Sequence, residues 1–278
     1  MKSKWPNIGL IGSEELTQLF YAPAKALGID LTSSLDFLEQ CDLVIFPNSS
    51  DSLPVIKGLE ANGVLVRPSL SSHEKLQSIT KEPTLEKNKL ISVLVARSPH
   101  GQAATWTPTL IEKSLTITPV PGLPPSLQES IQKSALEIAD QIKLIGVMSV
   151  EYVYYEDELK LSNLDLNLKR SSLWTIEGSI TDVFEQYLRA ALDLPLGDTT
   201  LLSSNIVLGD LTNGGKNDMY RPYLHLMART PKLKFHQYRT NSKIGEIVGH
   251  ISIIGTDVDY LIEEIKHAQD YFSGKSED

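Results

Sequence analysis

Residues 147–166, VMSVEYVYYEDELKLSNLDL, predict a β-hairpin. Two runs rich in Val, Tyr and Leu flank the acidic turn Glu156-Asp157-Glu158. A turn centred on Asp157 sets Glu151 opposite Asn163, and opposed side chains on one face have Cβ atoms about 5 Å apart. A carboxylate in so apolar a strand is costly to bury unless it is paired, hydrogen-bonded or metal-bound. Glu151 is therefore either a ligand shared across the hairpin or a side chain that faces solvent.

Helices are predicted on both sides of this hairpin. Upstream, Ser126 and Glu129 have the spacing of a capping box, and an apolar stripe follows from Ile131 to Ile142. Downstream, Asp182 is a candidate N-cap for a helix that ends near Leu192, with Glu185 as its reciprocal partner. The C-terminal part, from Ile206, is predicted to be rich in strands and loops and to end in a helix over 257–272.

The N-terminal residues alternate strands with helices. Residues 7–12 predict a buried strand, and Ser13 is an N-cap candidate for a helix that ends at Gly28. Further strands are predicted over 42–46 and 63–66, which is typical of an open α/β unit. Residues 69–88 are polar and predict a short helix with a linker, after which Leu90–Arg97 predicts a strong strand.

Composition excludes several classes of protein. The chain has 278 residues and a formal charge of −9, so it is not expected to bind nucleic acid or an anionic membrane. No apolar run approaches the ~20 residues of a membrane-spanning helix. Cys41 is the single cysteine, which excludes an internal disulfide and a thiolate cluster. A cytoplasmic protein with no nucleic-acid and no membrane partner is predicted.

Several ordered motifs resemble one enzyme family. The strings WTIEG (174–178), FEQYLRA (184–190) and LPLGDT (194–199), together with IGVMSVE (145–151), resemble carboxyaminoimidazole ribonucleotide synthetase, an ATP-grasp ligase of purine biosynthesis. The resemblance implies an α/β fold with a Rossmann-like pre-ATP-grasp domain over 1–70. It further implies a truncated ATP-grasp half over 90–200 and a small β-rich C-terminal subdomain over 201–278. Residues 71–89 stand as a linker where the family has its central ATP-binding subdomain.

The resemblance also implies cofactors and a metal site. The family joins bicarbonate to aminoimidazole ribonucleotide with ATP and magnesium. Glu151 matches the first magnesium carboxylate of the family, whereas Asn163 stands at the second. An amide oxygen brings no charge to a Mg²⁺ site, and Asp165 is the residue that could compensate. ATP and magnesium binding are therefore expected to be weak or absent.

Substrate and phosphate positions depart from the family as well. Lys169, Arg170 and Ser171 fall in the family's substrate loop, where only Ser171 is retained, and Arg229 stands where the family has a lysine near the nucleotide. An arginine and a histidine of that loop are replaced by Asn167 and Leu173. A cluster of basic residues further on is expected to be a solvated loop: Lys232, Lys234, Arg239 and Lys243.

Three functional hypotheses follow from these departures. The first is a catalytically inactive or impaired homologue kept for binding or regulation, with no residue assigned a catalytic role. The second is an active synthetase whose nucleotide site is unusual or is supplied by a partner. The third is a dimeric interaction protein, since the family dimerises through its ATP-grasp region; this chain would pair with itself or with a full-length paralogue.

Overall fold

The computed structural model describes residues 5–48, 52–79, 90–155, 158–215, 220–238 and 242–275. Within those ranges the strands form two sheets. The N-terminal sheet is parallel, with strand order β2-β1-β3-β4. Its strands are β1 (Ile8–Leu10), β2 (Leu31–Thr32), β3 (Leu43–Ile45) and β4 (Leu65–Arg67). Its helices are α1 (Glu14–Ala26), α2 (Leu53–Ala61) and α3 (Leu70–Ile79).

The second sheet is antiparallel and has nine strands, in the order β10-β9-β5-β7-β8-β11-β13-β12, with β6 paired to β5. Its first five strands are β5 (Leu90–Arg97), β6 (Ala103–Thr105), β7 (Thr109–Glu112), β8 (Leu115–Thr118) and β9 (Gly146–Tyr155). The others are β10 (Glu158–Asp165), β11 (Asn205–Thr212), β12 (Lys234–Gln237) and β13 (Ile247–Gly255). The helices on this sheet are α4 (Pro125–Gln141), α5 (Thr175–Gly178), α6 (Val183–Ala191), α7 (Tyr220–Arg229) and α8 (Val258–Ser273).

Three helix starts test the capping predictions. The Ser13 hydroxyl accepts from the backbone N–H of Leu16 at 3.4 Å, and the Asp182 carboxylate accepts from the N–H groups of Phe184 and Glu185. Both N-caps are therefore confirmed. The capping box at Ser126 is wrong, because α4 begins one residue earlier at Pro125, whose fixed φ suits the first helical position. Among the described residues, no side-chain hydrogen bond caps the N-terminus of that helix.

One apolar core joins the two sheets. Phe20 of α1 is fully buried and meets Phe184 of α6 edge-to-face, with ring centroids 5.0 Å apart. It meets Tyr187 of the same helix in the same manner at 5.7 Å. The backbone N–H of Leu168 also donates to the carbonyl of Pro47 at 2.7 Å, which ties the loop after β10 to the N-terminal sheet.

The α/β fold class is confirmed by these two sheets and their helices. The boundaries at residues 70, 89 and 200 stay predictions; the strands after residue 200 extend the antiparallel sheet that begins with β5. Residues 80–89 of the expected linker lie outside the described ranges, and 70–79 form α3. Among the described residues, the helices are all too short or too polar to cross a bilayer.

A buried histidine in α3 makes stability depend on pH. His73 is 8% exposed, and its Nδ1–H donates to the carbonyl of Ser69 at 2.8 Å. Burial lowers the pKa of His73, while the Ser69 carbonyl and Glu60 oppose the shift without cancelling it. The unfolded chain therefore binds a proton near pH 6.5 that the folded chain does not, so stability falls as pH drops below that value.

We expect His73→Gln to flatten this dependence. Between pH 6.5 and the lower pKa of folded His73, the variant should lose a pH dependence of the free energy of unfolding of at most about 1.4 kcal/mol per pH unit. Urea unfolding of both proteins at pH 5.5 and pH 7.5 measures it. Equal losses of stability on acidification in the two proteins would contradict the assignment.

Candidate functional site

The β9–β10 hairpin places Glu151 directly opposite Asn163, as predicted. Glu151 lies on the inner strand of the hairpin, flanked on its other side by Ser92 of β5. Its side chain is buried, with 3% of the residue exposed. The solvent-facing alternative for Glu151 is therefore wrong, because Asn163 and Lys169 contact both oxygens of its carboxylate on this face of the sheet.

An ammonium group occupies the carboxylate pocket of the hairpin. The Nζ of Lys169 lies 2.7 Å from Oε1 of Glu151 and 3.0 Å from Oδ2 of Asp165. Burial alone would lower the pKa of Lys169, but the hydrogen bonds and charges of the two carboxylates outweigh it and hold that pKa above its ordinary value. Lys169 is thus a cation at neutral pH, bonded to both acidic groups.

The residues of this pocket do not fit a Mg²⁺ ion. Both oxygens of Glu151 already accept hydrogen bonds, one from Lys169 and the other from the Nδ2–H of Asn163 at 3.1 Å. Asp165 binds the same ammonium, and its other oxygen accepts from the backbone N–H of Asn167 at 2.9 Å. Mg²⁺ prefers several anionic or carbonyl oxygens turned toward one point. Here those oxygens face N–H donors.

A cleft of about 590 Å³ opens beside this pocket. One wall comes from α1 and the residue before it, a second from the loop after β10, and a third from β13 and the segments on either side of it. The lining residues are Ser13, Glu15, Leu16, Leu19, Leu168, Lys169, Arg170, Leu173, Tyr238, Glu246, Ile247, Gly249 and His250. The size suits a small organic ligand, and the lining is largely apolar.

The second cation of the cleft is paired too. Arg170 binds the carboxylate of Asp210, which is 6% exposed. Burial raises the pKa of Asp210, and the Arg170 guanidinium opposes that shift. The Oδ1 of Asp210 and the Oγ of Ser171 are buried without a hydrogen-bond partner in the described chain. Arg170 thus neutralises a buried carboxylate, and Glu15 and Glu246 add negative charge to the cleft lining.

Arg229 lies apart from these residues. It ends α7 and comes within 3.8 Å of Glu264 on α8. It lines a separate, open groove together with Arg221, Leu224, His225, Ala228 and Tyr271. The structure therefore brings together Glu151, Asn163, Asp165 and Lys169, sets Arg170 and Ser171 beside them, and leaves Arg229 elsewhere.

Three side chains, those of Glu177, His236 and His250, meet at the end of the cleft, and none of them was predicted as a site residue from the sequence. The Nε2 of His236 lies 2.6 Å from Oε1 of Glu177, and its ring stacks on His250 with centroids 4.6 Å apart. His236 escaped notice because its segment was expected to be a solvated loop, whereas residues 234–237 form β12. Lys234 begins that strand, and Arg239 lies outside the described residues.

A family model described as the ATP-grasp domain matches residues 69–184. The N5-carboxyaminoimidazole ribonucleotide synthase of Mycobacterium tuberculosis H37Rv is 34% identical over 205 residues, which are 70% of this chain and 48% of that protein. The Mycobacterium leprae synthase is 30% identical over 276 residues, 90% of this chain and 62% of that one. The chain thus spans about half the length of the first of these relatives.

Solved structures share the architecture. The N5-carboxyaminoimidazole synthase of Aspergillus clavatus, solved with ADP and 5-aminoimidazole ribonucleotide, superposes with a TM-score of 0.82 at 15% identity. The alignment covers 97% of this chain and 99% of that one. At this identity the likeness establishes the fold alone.

Proposed function

We propose that this chain serves purine biosynthesis as a binding or regulatory protein and does not itself catalyse the ATP-dependent carboxylation. It is a shorter and divergent homologue of the N5-carboxyaminoimidazole ribonucleotide synthases and contains an ATP-grasp domain. The observation that carries this proposal is the position of Lys169, whose ammonium lies between Glu151 and Asp165.

Phosphoryl transfer needs charge neutralisation that the pocket cannot supply. Such reactions depend on metal ions and cationic side chains placed around the transferred group. Lys169 and Arg170 are the cations of the cleft, and each is committed to buried or half-buried carboxylates of this chain. The anionic oxygens that would hold a metal are committed to those cations in turn. Weak or absent magnesium and ATP binding is therefore part of the proposal.

The cleft supports a binding role. Its volume and its apolar leucines suit a small ring-containing ligand, while its acidic residues disfavour a phosphate group. The Aspergillus clavatus synthase, which shares the fold, binds ADP and 5-aminoimidazole ribonucleotide in its solved complex. We propose that the cleft of this chain binds a small organic compound that carries less charge than a nucleotide.

The test of inactivity is a turnover assay. We expect purified chain, supplied with aminoimidazole ribonucleotide, bicarbonate, magnesium and ATP, to release ADP no faster than the buffer blank. The Mycobacterium tuberculosis synthase in the same assay is the positive control. Steady ADP release that depends on aminoimidazole ribonucleotide would overturn the proposal and favour an active enzyme with an unusual nucleotide site.

A regulatory role requires a partner, and we propose a second copy of this chain or a full-length synthase. Sedimentation velocity of the chain alone and mixed with a full-length synthase from the same cell tests this. A species heavier than either monomer supports pairing. Monomers in both samples would remove the regulatory half of the proposal. An ADP release rate in the mixture that differs from that of the synthase alone, in either direction, would support regulation.

A further inference from the structure

We propose that Glu177, His236 and His250 form a binding site for a transition-metal ion of the zinc class at the end of the cleft. Each of the three offers one ligand atom, and these atoms all lie within 4.8 Å of one another. The site is separate from the Glu151 pocket, and the inference does not depend on whether the chain catalyses carboxylation.

Three elements bring the ligands together. Glu177 belongs to α5, and the two histidines lie on β12 and β13, where they are direct cross-strand partners. The two strands approach closely, since a Cβ on Gly249 would collide with the carbonyl oxygen of His236. The cross-strand pairing sets the two imidazole rings side by side, stacked with an interplanar angle of 14°.

Neighbouring groups already orient the ligands. The Ser252 hydroxyl donates to Oε2 of Glu177 at 3.0 Å, which leaves Oε1 turned toward His236. Tyr238 is hydrogen-bonded to Nδ1 of His250. Metal-binding imidazoles are characteristically held in this way, through the ring nitrogen that does not bind the ion.

One buried atom points to a missing ligand. His250 is 1% exposed, and its Nε2 has no hydrogen-bond partner in the described chain. Buried polar atoms normally have a partner, because an atom without one loses its hydrogen bonds to water and gains none in the protein. An ion that also bound Glu177 and His236 would supply that partner. It would enter through the cleft, which His250 lines.

The donor set selects the class of ion. Two imidazoles and one carboxylate, with a fourth position left for water, are a known ligand set for Zn²⁺. Mg²⁺ and Ca²⁺ prefer oxygen ligands throughout. The charge of Arg170, which lies near His250, is offset by Asp210, the cross-strand partner of His250.

Calorimetric titration of the chelator-treated chain with ZnCl₂ tests the site. We expect one ion per chain, no competition from excess Mg²⁺, and a visible spectrum of four-coordinate Co²⁺ when cobalt replaces zinc. Glu177→Gln and His236→Asn, both at half-buried ligands, should each weaken the affinity about 100-fold, and Tyr238→Phe about 10-fold.

A matched control separates this site from surface histidines. His100 also pairs with a carboxylate, that of Asp193, but its side chain is 87% exposed and belongs to no cluster of three ligand groups among the described residues. His100→Gln should leave the zinc affinity unchanged. The site is disproved if wild-type protein binds no stoichiometric zinc. It is equally disproved if both ligand variants, with native circular dichroism, bind zinc as tightly as wild type. Because the readout is metal binding, neither result bears on turnover.

Discussion

Phe20→Ala is expected to lower the free energy of unfolding by about 4 kcal/mol, the usual cost of removing a buried aromatic ring. The ring is fully buried between α1 and α6 and makes edge-to-face contacts with Phe184 and Tyr187. Because these contacts join the N-terminal sheet to the antiparallel sheet, the loss should act on both. Urea unfolding followed by tryptophan fluorescence and by circular dichroism measures the change.

The adjacent residue provides the control. Tyr21 lies on the same helix and is 44% exposed, so Tyr21→Ala should cost less than about 1 kcal/mol. Similar losses in the two variants would show that Phe20 does not join the two sheets through a shared core.

The double variant Lys169→Ala/Asn163→Glu is expected to bind Mg²⁺ more tightly than the wild-type chain does. It removes the ammonium from the Glu151–Asp165 pair and adds a carboxylate opposite Glu151. Two unit charges 4 Å apart interact by about 4 kcal/mol near a protein surface, so an increase in Mg²⁺ affinity of at least about tenfold is a conservative expectation. Calorimetric titration with MgCl₂ measures the affinity.

The variant should also become more heat-stable when Mg²⁺ is added, because a ligand that binds only the folded state stabilises it. Lys133→Ala is the control: it removes the same charge from an exposed position on α4. Its Mg²⁺ affinity should equal that of wild type. If the double variant binds Mg²⁺ no better than Lys133→Ala, the ammonium is not what excludes the ion.

The sequence predicts some of the strand pairs in the hairpin correctly and others incorrectly. Glu151 and Asn163 are partners as predicted, but Glu158 pairs with Tyr155, which a turn centred on Asp157 does not give. An irregularity between Leu161 and Asn163 restores the predicted register. Sequence alternation carries no signal for a bulge of this kind. The predicted pairing of Glu151 is therefore correct partly because the irregularity cancels the error in the predicted turn.

Ion pairing in the loop was harder to foresee. Lys169 and Arg170 are adjacent in sequence, yet one binds Glu151 and the other binds Asp210 on β11. These partners are distant along the chain and depend on how the strands of the antiparallel sheet are ordered. Local patterns do not encode that order.

Helix prediction succeeded where local chemistry decides the outcome and failed where packing does. Asp257 caps α8 by accepting from the N–H of Tyr260, close to the predicted start. α7 was missed within a region expected to be rich in strands and loops before its terminal helix. Leu226 of α7 is fully buried, but Leu224 and Met227 are largely exposed, so packing covers only part of the apolar face of this helix.

The ammonium of Lys169 also gives the carboxylates of the acidic pocket a counter-ion that cannot dissociate from the chain. A dissociable ion leaves when its concentration falls or a chelator is added, whereas a covalently tethered counter-ion remains at every dilution. Lys169 thus joins the loop after β10 to the hairpin, and we expect this contact to be independent of the Mg²⁺ concentration.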